Sequence, residues 1–236
     1  MKDLAKMIDH SILHPTYTDE DLKKQCEIAQ EYHVISICVK PYAVKQAVKY
    51  LSGTEVKVGC VIGFPHGNSA TQVKIFETQQ ACDDGATEID MVINIGKALS
   101  GDWAYVEYEI KEVADACHAN NAIVKVIFET DYLTKTEDKI RLCEICTKVG
   151  ADFVKTSTGY GYVKMATGDF NCKGATVSDI ELMRKHSGPK VQVKAAGGVR
   201  TLDDLLKMKA AGATRCGATA TVAILTEAAR RFGYNK

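Results

Sequence analysis

At 236 residues the chain exceeds a typical ~150-residue domain, yet α/β barrels fill ~250 residues as one unit, so two ordinary domains would be cramped. Its 30 Lys and Arg balance 30 Asp and Glu, which excludes nucleic acid or an anionic membrane as the bulk partner and makes any charge-based site local. A hydrophobic fraction of 46% with 25% charged residues excludes disordered and collagen-like compositions.

In chain order, the start Met1-Lys2-Asp3-Leu4-Ala5-Lys6 carries charge where a secretory segment needs an apolar run, and the expected location is cytoplasmic. Short Val- and Ile-rich segments then alternate with amphipathic ones. The predicted strands are Ile8–Ser11, Ile35–Val39, Lys57–Gly63, Glu88–Ile95, Ile123–Glu129, Asp152–Thr156, Val191–Ala195 and Thr214–Ala218. Val106, Ile110, Val113 and Cys117 share one helical face, and Thr134/Glu137, Thr176/Asp179 and Thr201/Asp204 read as helix starts with capping boxes. Gly85-Ala86, Gly150-Ala151 and Gly212-Ala213 each end a helix and open a strand, so Asp90, Lys155 and Gly217, five residues after each Gly, should lie at similar heights. Repeated βα units without linkers predict a single (β/α)₈ TIM barrel, one domain over residues 1–236, with its chemistry at the C-terminal ends of the strands. No dinucleotide-binding GxGxxG follows a strand, and no cofactor is expected.

Strand side chains alternate between faces. Ile89, Met91 and Ile93 outward leave Glu88, Asp90, Val92 and Asn94 facing the interior. The same parity turns Lys125, Glu129, Gln192 and Lys194 inward and puts Phe153 and Lys155 on one face. Several lysines and carboxylates thus converge on an enclosed space, as either a structural ion-pair network or a reactive site. Lys155 and Lys194 belong to adjacent strands, and a lysine beside another cation in a desolvated place loses its proton more easily. A neutral amine attacks a carbonyl to form a Schiff base, and Asp90 could move protons directly or through water. The turns Gly197-Gly198-Val199-Arg200 and Gly217-Ala218-Thr219-Ala220 precede helices after the last two strands, where barrels commonly bind phosphate.

Glu88–Asn94 (EIDMVIN), Phe153–Gly159 (FVKTSTG) and Val193–Arg200 (VKAAGGVR) resemble the three signature segments of the deoxyribose-phosphate aldolase family. Supporting matches run from Ile8-Asp9-His10 through Gly63-Phe64-Pro65-His66-Gly67 to Gly217. The resemblance implies a metal-free class I aldolase that cleaves 2-deoxy-D-ribose 5-phosphate to D-glyceraldehyde 3-phosphate and acetaldehyde. It makes Lys155 the Schiff-base lysine, Lys194 its tuning partner and proton shuttle, and Asp90 a member of the proton relay. The candidate substrate and phosphate contacts are Gly197, Gly198, Gly217, Thr219, Asp9, Cys38, Lys125 and Thr158. Family members are commonly homodimers or homotetramers.

The chain departs from the family pattern by about ten extra residues within Tyr160–Lys173, by a turn after the eighth strand that reads Gly217-Ala218-Thr219-Ala220 and retains one hydroxyl, and by His14 and Lys40 in place of Lys and Asn. The insertion carries Lys164 and Lys173 and is either a closure over the phosphate or a solvated surface loop. Asp9 either binds a substrate hydroxyl or pairs an interior lysine, and Cys38 either approaches substrate or packs. His66 reads chiefly as a turn residue and Cys143/Cys146 as packing. Nine cysteines, an odd number spread through the chain, suit a reducing compartment. Alternatives are a Schiff-base aldolase for another phosphorylated sugar, or a non-catalytic sugar-phosphate sensor.

Overall fold

The eight anticipated strands form and close on themselves in a computed structural model that describes residues 2–233. They are β1 (Ile8–Ile12), β2 (Ser36–Val39), β3 (Lys57–Ile62), β4 (Glu88–Val92), β5 (Ile123–Ile127), β6 (Phe153–Lys155), β9 (Gln192–Ala196) and β10 (Arg215–Ala218). β7 (Val163–Lys164) and β8 (Phe170–Asn171) form a separate hairpin. Every barrel pairing is parallel, in the order β1-β2-β3-β4-β5-β6-β9-β10 and back to β1.

The outer ring comprises α1 (Lys2–Ala5), α2 (Asp19–Glu31), α3 (Val44–Tyr50), α4 (Thr71–Asp83), α5 (Ile95–Leu99), α6 (Trp103–Ala119), α7 (Thr136–Val149), α8 (Val177–His186), α9 (Leu202–Ala210) and α10 (Thr221–Phe232). The core lies between strands and helices: Ile8, Ile37, Ile89, Met91, Val124, Val126, Val154 and Val193 face outward and are fully buried, as are Val106, Ile110, Val113 and Cys117 on the stripe of α6. His10, also on the outer face, is reconciled with burial by 2.7 Å bonds to Thr221 and Gln25. None of the described helices is long and apolar enough to cross a membrane.

The three helix-to-strand joints share one geometry. Gly85, Gly150 and Gly212 have φ of +103°, +78° and +109°. The alanine after each donates its amide to the carbonyl five residues back, at Ala81, Cys146 and Met208, which closes the helix end. Thr176 and Thr201 cap α8 and α9 as expected. Thr134 does not cap: α7 starts at Thr136, because Tyr132 and Leu133 fold back onto the Glu129 carbonyl and delay the helix. Two strands end two or more residues earlier than expected, and β3 and β6 end one residue earlier. Asn94 lies beyond β4 and caps α5 by accepting the Lys97 amide, and Glu129 lies beyond β5 with φ +57°. Gln192 is solvent-exposed at the N-terminal mouth and bonds Thr214, so it is not an interior residue.

Candidate active site

Because barrel strands tilt, residues at one height advance by one position for each strand crossed. Applied to the observed register, this stacks three interior layers: Ser36, Glu88, Phe153 and Arg215; then Asp9, Gly59, Lys125 and Lys194; then Cys38, Asp90, Lys155 and Gly217. Branched aliphatics normally fill such layers. Here seven charged side chains occupy them.

The bonds are continuous. Arg215 holds Asp9 through Nε at 2.6 Å, and Glu88 and Ser36 through Nη2 at 2.6 and 3.0 Å. Lys125 Nζ lies 2.9 Å from Asp9, 2.5 Å from Glu88 and 3.2 Å from Asp90 Oδ1. Lys194 Nζ contacts Asp9 at 2.5 Å and Asp90 Oδ2 at 2.7 Å, whereas Lys155 Nζ has one carboxylate partner, Asp90 Oδ2 at 2.6 Å. The 3.2 Å approach to Asp90 Oδ1 lacks hydrogen-bond alignment, which leaves that buried oxygen able to accept a further donor.

Three carboxylates face four cations, so full ionisation would strand one positive charge in a desolvated space. The local electrostatics identify where it is least stable. Burial pushes the Lys194 ammonium down, but Asp9 and Asp90 together hold its pKa above the ordinary lysine value; Asp9, Asp90 and Glu88 do the same, more strongly, for Lys125. For Lys155 burial lowers the pKa, Asp90 alone resists, and Lys194 lowers it further; the balance falls below the ordinary value. Burial pushes Asp90 up, and the ammoniums of Lys125, Lys155 and Lys194 outweigh it, keeping the carboxylate ionised.

Above the third layer a cavity of about 340 Å³ opens at the C-terminal ends of the strands. Lys155, Thr158, Gly197, Gly198, Gly217 and Thr219 line it, all of them sequence candidates. Asp90, Lys194, Asp9, Lys125 and Cys38 do not; they lie beneath in the ionic layers. Asp9 is bound to Lys125, Lys194 and Arg215, so of its two readings the structure supports lysine pairing. Cys38 packs with Leu13, Val61 and Phe64, and burial pushes its thiol up to about 11.

The glycine turns are constrained by close approach. Gly197 and Gly174 have φ of +83° and +72°, and a Cβ on Gly174 would sit 2.5 Å from the Gly197 backbone. The two neighbouring helix ends differ. At α9, Asp204 already accepts the amides of Arg200 and Thr201, whereas α10 has no side-chain cap and its first-turn donors adjoin the cavity at Ala220.

Sequence reasoning missed several wall residues. Ser11 and Tyr17 come from β1 and the loop after it, and Asn171 and Cys172 from the hairpin, whereas the anticipated Lys164 and Lys173 are absent from the wall. Asp131 accepts the amides of Lys173 and Gly174, and the Tyr132 hydroxyl accepts that of Tyr162, so the loop after β5 anchors the hairpin base. Arg215 was also missed, although it stands two residues before Gly217 and therefore on the same strand face.

Residues 4–226 match the DeoC/LacD family aldolases. A curated deoxyribose-phosphate aldolase of Rhodopirellula baltica is 52% identical over 231 residues, covering 98% of this chain and 91% of that protein. Among solved structures, a putative deoxyribose-phosphate aldolase from Coccidioides immitis superposes with a TM-score of 0.88 at 38% identity, covering 96% of this chain and 86% of that one. The deoxyribose phosphate aldolase of Aeropyrum pernix, described as tetrameric, superposes with a TM-score of 0.85 at 30% identity over 96% and 91% of the two chains. With an ionic barrel interior opening on a glycine-lined cavity and family likeness along almost its whole length, the chain belongs to the DeoC/LacD family of aldolases.

Proposed function

We propose that the chain cleaves 2-deoxy-D-ribose 5-phosphate reversibly to D-glyceraldehyde 3-phosphate and acetaldehyde through a Schiff base on Lys155, a step in the breakdown of deoxynucleoside-derived sugar phosphate. The observation that carries this reading is the unequal pairing of two adjacent lysines: Lys194 has two carboxylate partners, Lys155 has one, and Lys155 reaches the cavity. A lysine whose ammonium is undersupported supplies neutral amine near neutrality, as nucleophilic catalysis requires.

The neutral Lys155 Nζ attacks C1 of the open-chain aldehyde, and loss of water gives the iminium. The C3 hydroxyl then yields its proton to a base, the C2–C3 bond breaks, and its electron pair flows into the iminium to give an enamine while C3 leaves as the aldehyde of glyceraldehyde 3-phosphate. Protonation of C2 and hydrolysis release acetaldehyde and return the free amine. Lys194 and Asp90 share the proton traffic: Asp90 Oδ2 bridges both ammoniums, and its unbonded Oδ1 accepts a proton carried by water or substrate. The phosphate dianion would take the amides of Gly197, Gly198 and Gly217, the open N-terminus of α10 and the Thr219 hydroxyl.

The nine free cysteines support a reducing, cytoplasmic setting, and we infer a homo-oligomer by analogy with the Aeropyrum pernix aldolase. A second reading, an aldolase for another phosphorylated sugar, draws on the hairpin, since Asn171 and Cys172 line one side of the cavity. The deciding experiment is borohydride reduction with acetaldehyde and peptide mapping: an adduct on Lys155 is expected, and an adduct on Lys194 with Lys155 untouched would reverse the assignment. Steady-state rates on 2-deoxyribose 5-phosphate against other phosphorylated aldoses separate the two readings.

A further inference from the structure

One buried carboxylate at the catalytic end takes no part in the ionic layers. Glu129 follows β5 by two residues, is 1% exposed, and holds φ at +57°, a left-handed conformation that costs a non-glycine residue on the order of 1 kcal/mol. In that conformation its carboxylate meets the turn after β6. Thr158 donates its amide to both carboxylate oxygens, at 3.3 and 3.4 Å, and its hydroxyl to Oε2. The same hydroxyl oxygen accepts the Tyr160 amide at 2.9 Å. Thr158, Gly159 and Tyr160 form the stretch of cavity wall that continues from Lys155.

A hydroxyl has one proton to give and two lone pairs. In Thr158 the proton is committed to Glu129 and one lone pair to Tyr160, so a lone pair is all that remains for an entering molecule. We infer that Glu129 is a positioning residue which fixes the Thr158 hydroxyl as a pure acceptor, so that the cavity takes a sugar phosphate whose own hydroxyl donates to Thr158. This rests on the aldolase reading and specifies how that site selects its substrate.

The arrangement is sensitive to protonation. Burial pushes the Glu129 carboxyl up to about 7; the Thr158 bonds and the Lys155 ammonium draw it down, and the Asp131 charge pushes it up. Cys172 of the hairpin also faces it, and burial holds that thiol near 12, protonated and uncharged. When Glu129 takes a proton on Oε2 its O–H donates to Thr158, the Thr158 proton turns toward the cavity, and the substrate hydroxyl loses the acceptor that took its proton.

The test is KM and kcat on 2-deoxyribose 5-phosphate across about pH 5.5 to 8.5, the span in which a group near 7 changes charge, for wild type, Glu129→Gln, Thr158→Ala and the double variant. Wild-type KM should rise roughly tenfold as pH falls through 7, the scale of one hydrogen bond, while the kcat profile keeps its own shape. Glu129→Gln and Thr158→Ala should each remove that rise, and the double variant should be no worse than Thr158→Ala alone. The substrate phosphate titrates identically for all four proteins, so their differences isolate Glu129. Retention of the KM inflection in Glu129→Gln, or independent effects that multiply in the double variant, would overturn the inference. Should Glu129→Gln not fold, Thr158→Ala decides alone, and an unchanged inflection there overturns it. Wild type that cleaves with a flat difference profile refutes only the role of Glu129, whereas wild type that does not cleave refutes the aldolase reading beneath it.

Discussion

Replacing Lys194 with Met tests whether charge crowding, rather than burial alone, activates Lys155. Both ammoniums contact the same oxygen, Asp90 Oδ2, at 2.6 and 2.7 Å, which places them within about 5 Å of each other. At an effective dielectric near 20, two like charges at that separation repel by roughly 3 kcal/mol. Removing Lys194 also leaves Asp90 Oδ2 to Lys155 alone, so both changes favour the ammonium. The neutral-amine fraction of Lys155 near pH 7 should fall about a hundredfold. The assay is the rate of borohydride-dependent inactivation by acetaldehyde as a function of pH. Lys194→Met should be about a hundredfold slower near neutrality and approach the wild-type rate in alkali, where Lys155 loses its proton unaided. Met fills the lysine volume, and Asp9 retains Lys125 and Arg215, so a folded protein is expected. A Lys194→Met profile that coincides with wild type refutes the reasoning.

Asp90→Asn keeps the shape of the relay but carries no proton, so adducts on Lys155 should still form while turnover falls by about 10² or more; near-normal turnover removes Asp90 from the relay. Asp9 and Asp90 are held well below the usual carboxylate range, because nearby cations outweigh burial. Their contribution to stability is therefore complete above the unfolded value near 3.9 and is lost as pH falls through the lower folded values. Thermal melting should be insensitive to these two groups from neutrality to about pH 4 and fall steeply below it, with a shallower acid limb in Asp9→Asn. Excising the hairpin between Tyr160 and Lys173 removes Asn171 and Cys172 from the wall while leaving Gly197, Gly198 and the start of α10 in place. The ratio of kcat/KM for 2-deoxyribose 5-phosphate to that for 2-deoxyribose should change by less than about tenfold, and a larger loss would make the hairpin a phosphate clamp.

The ionic layers were legible because strand alternation and the Gly-Ala joints are both local signals. Parity turned Asp90, Lys125, Lys155 and Lys194 inward, and counting from Gly85, Gly150 and Gly212 put Asp90, Lys155 and Gly217 in one layer, where the register also has them. The choice between two uses of Asp9 was not local, since its partners stand 27 to 206 residues away in sequence. The hairpin left only a length signal: strands of two residues are too short to show a period, and the contacts that anchor it belong to Asp131 and Tyr132 on another loop. Glu129 was placed inside by parity, but its positive φ has no sequence signature in a glutamate, so its turn toward Thr158 could not be foreseen. The largest gain from assembling the fold is a charge count. A chain whose formal charges cancel overall closes four cations and three carboxylates into its barrel, and the surplus proton is held least well where a lysine has one carboxylate instead of two. That lysine is the one with a path to the cavity, so on the proposed aldolase reading the imbalance that would be a stability defect in an inert barrel would supply the nucleophile at the cavity floor.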